Sequence, residues 1–208
     1  TSLTQPWAQA STETRQLFAQ LDQRFSERWR LKLNYTHERS DTRSTTAFAY
    51  GAINPLDGSG ATWGGGRYVM DNSQNLFDAN LSGGSDLFGQ SHEILLGADY
   101  QRVEGTWNTG KPVDNWLVPV NVFDRNAWNP DTDVPLTTRY EPWGQEQKGM
   151  YGVLRFNPTS RLHLVAGARV SRYKFFQTVS TRKDAGSSWA VSSRTDYEEP
   201  TKTTPYGG

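Results

Sequence analysis

The stretch Glu93-Ile94-Leu95-Leu96-Gly97-Ala98-Asp99-Tyr100-Gln101 decides the fold. Ile94, Leu96, Ala98 and Tyr100 alternate with Glu93, Leu95, Gly97, Asp99 and Gln101. A period of two places one set on each face of an extended strand. On a helix, Leu96 and Ala98 would point in nearly opposite directions. Upstream, Phe77, Ala79 and Leu81 alternate with Asp78, Asn80 and Ser82, and the break Ser85–Gln90 separates the two runs. The pair reads as an antiparallel hairpin with one apolar face and one polar face.

The same unit recurs on both sides. Leu17, Ala19, Leu21 and Phe25 precede the short break Ser26-Glu27-Arg28, and Trp29, Leu31, Leu33 and Tyr35 follow it. Met150, Gly152, Leu154 and Phe156 lead into Asn157-Pro158-Thr159-Ser160, and Leu162, Leu164, Ala166, Ala168 and Val170 follow. A last strand starts near Trp189. About seven strands are expected in all. The breaks near 26–28, 86–90 and 157–160 are short, those near 47–73 and 108–145 are long, and one near 183–188 is intermediate. Unstructured loops above ~12–15 residues are uncommon in compact domains. Alternation of tight turns and long loops is the plan of an outer-membrane barrel, with turns on the periplasmic side and loops outside.

Composition agrees. Hydrophobic residues make up 35% of the chain and aromatics 12%, with a mean hydropathy of −0.75. Disordered chains share the low hydropathy but lack aromatics. A barrel needs apolar residues on one face only, with aromatic girdles at both interfaces. No run of about 18 apolar residues is present, so no helix spans a bilayer. Trp29, Phe25, Phe88, Phe156 and Tyr173 fall near strand ends, where girdles form. The 22 basic and 22 acidic residues cancel, which argues against nucleic acid as a partner. The absence of cysteine excludes disulfides and Cys-ligated metal.

Trp29-Arg30-Leu31, the run His92–Tyr100, the run Leu164–Tyr173, Tyr151–Pro158 and Thr204-Pro205-Tyr206-Gly207-Gly208 together resemble the barrel region of TonB-dependent ferric-siderophore receptors. The resemblance covers most of the chain outside the two long loops and rests on the order and spacing of the segments. It implies an all-β fold of consecutive antiparallel hairpins that forms part of a 22-stranded transmembrane β-barrel. It also implies location in the bacterial outer membrane, contact with its lipid, and a ferric siderophore as transported ligand, with no covalent cofactor. Family members hold an N-terminal plug inside the barrel and couple to TonB through a segment of that region. Neither is visible in residues 1–208, which read as a mid-barrel portion. An excised arc of strands has two unpaired edges and is expected to self-associate. Another outer-membrane barrel, such as a porin or sugar channel, and a soluble carbohydrate-binding β-sandwich are the alternatives.

No catalytic constellation is found: no Gly-x-Ser-x-Gly elbow and no phosphate loop, since Gly64-Gly65-Gly66-Arg67 lacks the Lys-Ser/Thr and reads as a flexible tip. His37, His92 and His163 are far apart and read as barrel or surface histidines, not metal ligands. The chemistry sits in the long loops. Tyr50, Trp63, Arg67 and Tyr68 in the first, and Trp116, Arg125, Trp128, Arg139 and Tyr140 in the second, are the ligand-binding candidates. Aromatic faces beside cations suit a flat, anionic chelate.

Overall fold

The computed structural model describes residues 8–110, 119–124 and 134–208. Among them are nine strands: β1 (Ala10–Arg24), β2 (Arg30–Tyr50), β3 (Ala61–Leu87), β4 (Gln90–Gly110), β5 (Pro119–Val120), β6 (Thr138–Phe156), β7 (Leu164–Thr181), β8 (Ala190–Glu198) and β9 (Lys202–Gly207). They form one antiparallel sheet in the order β1-β2-β3-β4-β6-β7-β8, with β5 added to β3 and β9 to β7. Consecutive hairpins thus lie side by side. Seven strands follow the main path, and two short ones extend it.

The strands are longer than a bilayer requires. A tilted crossing needs ~9–11 residues, whereas β3 has 27 and β2 and β4 have 21 each. The expected loop at 47–73 is therefore mostly strand: only residues 51–60 join β2 to β3. Gly64, Gly65 and Gly66, read from sequence as a flexible tip, are paired with Phe48, Ala47 and Thr46. A glycine run lacks the side chains that signal a strand, but neighbouring rings supply the cover: a Cβ on Gly64 would touch the rings of Tyr50 and Phe48. The loop expected at 108–145 likewise shrinks, because β4 reaches Gly110 and β6 begins at Thr138. The turn at 85–90 is tighter than its sequence suggests. Leu87 pairs with Gln90, leaving Phe88 (φ 56°) and Gly89 (φ 75°) as its two central residues. Two positive φ values are the requirement of a type I′ hairpin turn. The last strand is broken in two at residues 199–201, where Pro200 has no N–H for the ladder.

The register stacks the apolar residues into continuous rows on one face. Leu21, Leu33, Ala79, Ala98, Met150 and Val170 form one row. Leu31, Leu81, Leu96, Gly152 and Ala168 form the next, and Gly83, Ile94, Leu154 and Ala166 a third. Aromatics close this band at both ends. Tyr35, Phe77 and Tyr100 are direct cross-strand neighbours on the side toward the longer loops. Trp29, lying over Gly83, and Phe156, stacked on His92 at 4.7 Å, border it on the side of the tight turns. From His92 to Tyr100 is roughly 27 Å along β4 at ~3.4 Å per residue, or about 21 Å of height at a tilt of ~40°. That is close to the ~25 Å apolar band of a transmembrane barrel.

The opposite face is polar. Asp22, Lys32, Asn80, Gly97, Tyr151 and Arg169 form one row, and Gln20, Asn34, Asp78, Asp99, Gly149 and Ser171 the next. Arg169 donates to both Asp99 carboxylate oxygens, at 2.7 and 2.9 Å. The pair spans β7 to β4 across Gly149, where any Cβ would strike the guanidinium. Asn34 and Asn80 each donate to Asp78 at 3.2 Å, and Arg30 pairs with Asp22. The sheet is a single layer, so its large apolar residues stay open: Met150 is 69% exposed and Leu96 46%. Lipid is the medium that covers such a face. Among the described residues the only buried apolar cluster is small and lies at the long-loop end: Ala61, Trp63, Val120 and Val134, with Ala47, Ala49 and Val122 against it.

Candidate ligand-facing aromatic surface

Above the Tyr35–Phe77–Tyr100 girdle the strands leave the apolar layer and carry the candidate residues. Strand parity divides those candidates between the two faces. Even-numbered positions of β2, β3 and β6 differ in side according to register, and the pairing fixes each. Tyr50 and Tyr68 share the polar, interior face with Phe48 and Met70. Tyr140 joins them through its pairing with Trp107, which in turn pairs with Met70. Trp63, Arg67 and Arg139 lie on the outward face. Trp116, Arg125 and Trp128 lie outside the described residues.

On the interior face the Trp107 and Tyr140 rings stack at 4.9 Å with planes 23° apart. Register breaks on both sides of β6 near Glu141 and Pro142, which bends the strand where this stack forms. The indole Nε1 of Trp107 is buried and has no hydrogen-bond partner among the described residues. A buried unpaired N–H costs about 1–3 kcal/mol, so such a donor is suited to an incoming acceptor. Tyr68 packs close to Gly66, and Tyr50 tilts against Phe48 at 6.1 Å. Tyr50 is half exposed. Trp107 with Tyr140 and Phe48 with Tyr50 are thus two ring pairs on the same inner face as Tyr68.

The outward candidates are engaged within the loop end. Trp63 is 4% exposed and belongs to the small apolar cluster. Arg67 Nη1 reaches the Val134 carbonyl at 3.5 Å. Arg139 donates to Asn108 at 3.2 Å, pairs with Glu141 at 3.3 Å, and lies 4.4 Å from the centre of the Trp189 ring. Arg182 covers the same ring at 4.5 Å and donates to the Leu136 carbonyl at 2.7 Å. One indole therefore joins three loop ends. Sequence reasoning missed Trp189 and Arg182 because they lie beyond the long loops; it grouped Trp107 with the aromatics of the second loop but did not carry it among the ligand-binding candidates. The alternation Asp99, Gln101, Val103, Gly105, Trp107 carried the signal for the latter.

Loop tips hold their shape through aspartates. Asp57 accepts from the Ser59 backbone N–H at 3.0 Å and from its hydroxyl at 2.7 Å, which lowers its pKa below the usual carboxylate range. Asp184 accepts from the Ser187 hydroxyl at 2.8 Å and from the backbone N–H groups of Gly186 and Ser187, and its pKa is lowered chiefly by that hydroxyl. Two of the histidines, His92 and His163, share Asn157 as a partner, and His37 lies elsewhere. His37 contacts Asn75, His163 contacts Asn157, and His92 bridges the Leu87 carbonyl and the Asn157 N–H.

Comparison with known proteins agrees with this architecture. The family described as TonB dependent receptor-like, beta-barrel matches residues 2–208. The ferric-pyoverdine 358 receptor of Pseudomonas putida is 30% identical over 164 residues, covering 74% of this chain and 19% of that protein. The ferric-pyoverdine M114 receptor of a Pseudomonas strain is 30% identical over 222 residues, covering 100% and 25%. The crystal structure of the ferripyoverdine receptor of the outer membrane of Pseudomonas aeruginosa superimposes with a TM-score of 0.71 at 22% identity, over 94% of this chain and 24% of that one. The chain spans about a fifth to a quarter of the length of the curated relatives it matches. The apolar band, the polar inner face and the family match lead to one assignment: this chain belongs to the TonB-dependent receptor β-barrel family and forms part of the barrel wall in the bacterial outer membrane.

Proposed function

We propose that the chain supplies wall strands and outer hairpins to a receptor that imports ferric siderophores, ferric pyoverdines foremost. The observation that carries this reading is the 30% identity to two ferric-pyoverdine receptors. The inner-face aromatics suit such a ligand. Tyr50, Tyr68 and Tyr140 offer flat surfaces along the inner wall, and the unpaired Trp107 N–H faces the same side. Arg125, Trp116 and Trp128 belong to the proposed capture surface by sequence. In the whole receptor a plug fills the passage, and its N-terminal region takes energy from TonB. The role is binding and passage, not catalysis.

The test uses the whole receptor gene in a strain lacking its own ferric-siderophore receptors. Uptake of radioactive iron as ferric pyoverdine should depend on that gene and stop when the proton gradient is abolished. W107A and Y140A should each weaken ligand affinity roughly two- to twelvefold, the range that ~0.5–1.5 kcal/mol per aromatic contact implies. Uptake that persists without the gradient would point to a passive channel and overturn the reading.

A further inference from the structure

The three histidines differ in what their rings do. His163 Nδ1 meets the Asn157 carboxamide oxygen at 2.7 Å, and His37 Nδ1 meets that of Asn75 at 2.9 Å. Both partners are acceptors, so both rings donate there, and a ring that becomes cationic keeps such a bond. His92 is the reverse case. Its Nδ1 faces the backbone N–H of Asn157 at 3.1 Å, and its Nε2 faces the Leu87 carbonyl at 3.0 Å. An N–H can only donate, so Nδ1 is the acceptor. A carbonyl can only accept, so Nε2 carries the hydrogen. The two partners therefore fix one neutral tautomer. A proton added at Nδ1 removes its lone pair and sets two N–H groups head-on.

The ring stands between two turns. It is 6% exposed and stacks on Phe156 at 4.7 Å. Leu87 closes β3, and Asn157 follows β6, so one side chain ties two successive hairpins together at the tight-turn end. Asn157 completes the tie by donating its carboxamide to the Ser91 carbonyl. Charges on the surrounding elements are engaged elsewhere or exposed. Asp86 of β3 pairs with Arg28, and Glu93 of β4 pairs with Arg155 of β6 on the polar face. The β6–β7 turn contributes Arg161 and His163, both exposed. We propose that His92 is a proton-operated latch between the two turns. The latch is closed while the ring is neutral. When the ring takes a proton, the Asn157 N–H loses its acceptor and the β6–β7 turn is released from the β3–β4 turn. The bond exists only in the neutral form, so it is present at high pH and lost as pH falls. In the barrel this latch stands at the periplasmic rim, and acid loosens that rim.

The experiment uses the whole receptor in lipid vesicles. Amide hydrogen exchange is measured at about pH 8 and about pH 5, on either side of the range in which histidine titrates, and corrected for its intrinsic pH dependence. Protection of the Asn157 amide should fall roughly two- to twelvefold at the lower pH, the factor that the net worth of one hydrogen bond implies. The Phe25 amide, which donates to the Trp29 carbonyl at 3.0 Å in a turn without histidine, should not change. H92Q should abolish the pH step, and H163Q should keep it. Nitrogen-15 NMR of the wild-type rings reads the latch without a substitution. The His92 ring should show an unprotonated Nδ1 at the higher pH and lose that signal in parallel with the Asn157 protection. An Asn157 amide indifferent to pH in wild type, a step that survives in H92Q, or a step that disappears in H163Q would overturn the proposal.

Discussion

Leu95 and Leu96 are adjacent leucines whose replacement by arginine should have very different costs. Leu96 lies in the row Leu31–Leu81–Leu96–Gly152–Ala168, midway between Tyr100 and His92 along β4. At ~3.4 Å per residue and a tilt of ~40° it is about 10 Å from either girdle, near the bilayer centre. Arginine on the lipid face at that depth costs about 2–4 kcal/mol. Leu95 is paired with Ser82 and Val153 on the polar face, where an arginine can reach water and the carboxylates of that side. Its replacement should cost about 1 kcal/mol or less, mostly through lost packing. The assay is equilibrium urea unfolding of the whole receptor in lipid vesicles, read by tryptophan fluorescence. L96R should lower stability by at least ~1 kcal/mol more than L95R. Equal costs, or a larger cost for L95R, would refute the assignment of the faces.

Three further outcomes follow from local geometry. Phe88 holds a left-handed conformation that costs an L-residue roughly 1–2 kcal/mol; F88G and F88N should therefore stabilise the β3–β4 turn by up to about 1 kcal/mol, and F88V should destabilise it, in the same unfolding assay. W189A removes the ring held between Arg139 and Arg182, two contacts of about 0.5–1 kcal/mol each, so amide exchange at residues 136–140 and 181–183 should accelerate roughly five- to thirtyfold. The Asp184 carboxylate has a lowered pKa in the folded loop, so its contribution is complete above the unfolded value of about 3.9 and is lost as pH falls through the folded value. Exchange across 184–188, corrected for its intrinsic pH dependence, should rise only in that acidic range, and D184N should exchange fast throughout.

Much of the fold is legible in the sequence because alternation is local. Each of Ile94–Tyr100, Phe77–Leu81 and Met150–Phe156 states its own two faces, and their order states the hairpins. The ends of the strands are not legible. Gly64-Gly65-Gly66 has the composition of a loop, and only its register with Thr46–Phe48 makes it a strand. Trp107 and Tyr140 look like loop aromatics until their pairing places them on one inner wall. The site was harder still. Tyr50, Trp63, Arg67 and Tyr68 are near one another in sequence, yet parity sends two inward and two outward, and Trp63 joins an apolar cluster. The His92–Asn157 contact is invisible in sequence, because nothing local says that those two residues face each other.

The central claim is that odd and even positions of each strand face different media. It is tested most directly by single cysteines placed at 149–155 of β6 in an otherwise cysteine-free receptor. Each is spin-labelled in lipid vesicles, and its accessibility to oxygen is compared with that to a water-soluble relaxer. Positions 150, 152 and 154 should favour oxygen and 149, 151, 153 and 155 the aqueous reagent, in strict alternation. A profile without period two, or with the two sets exchanged, would contradict the account.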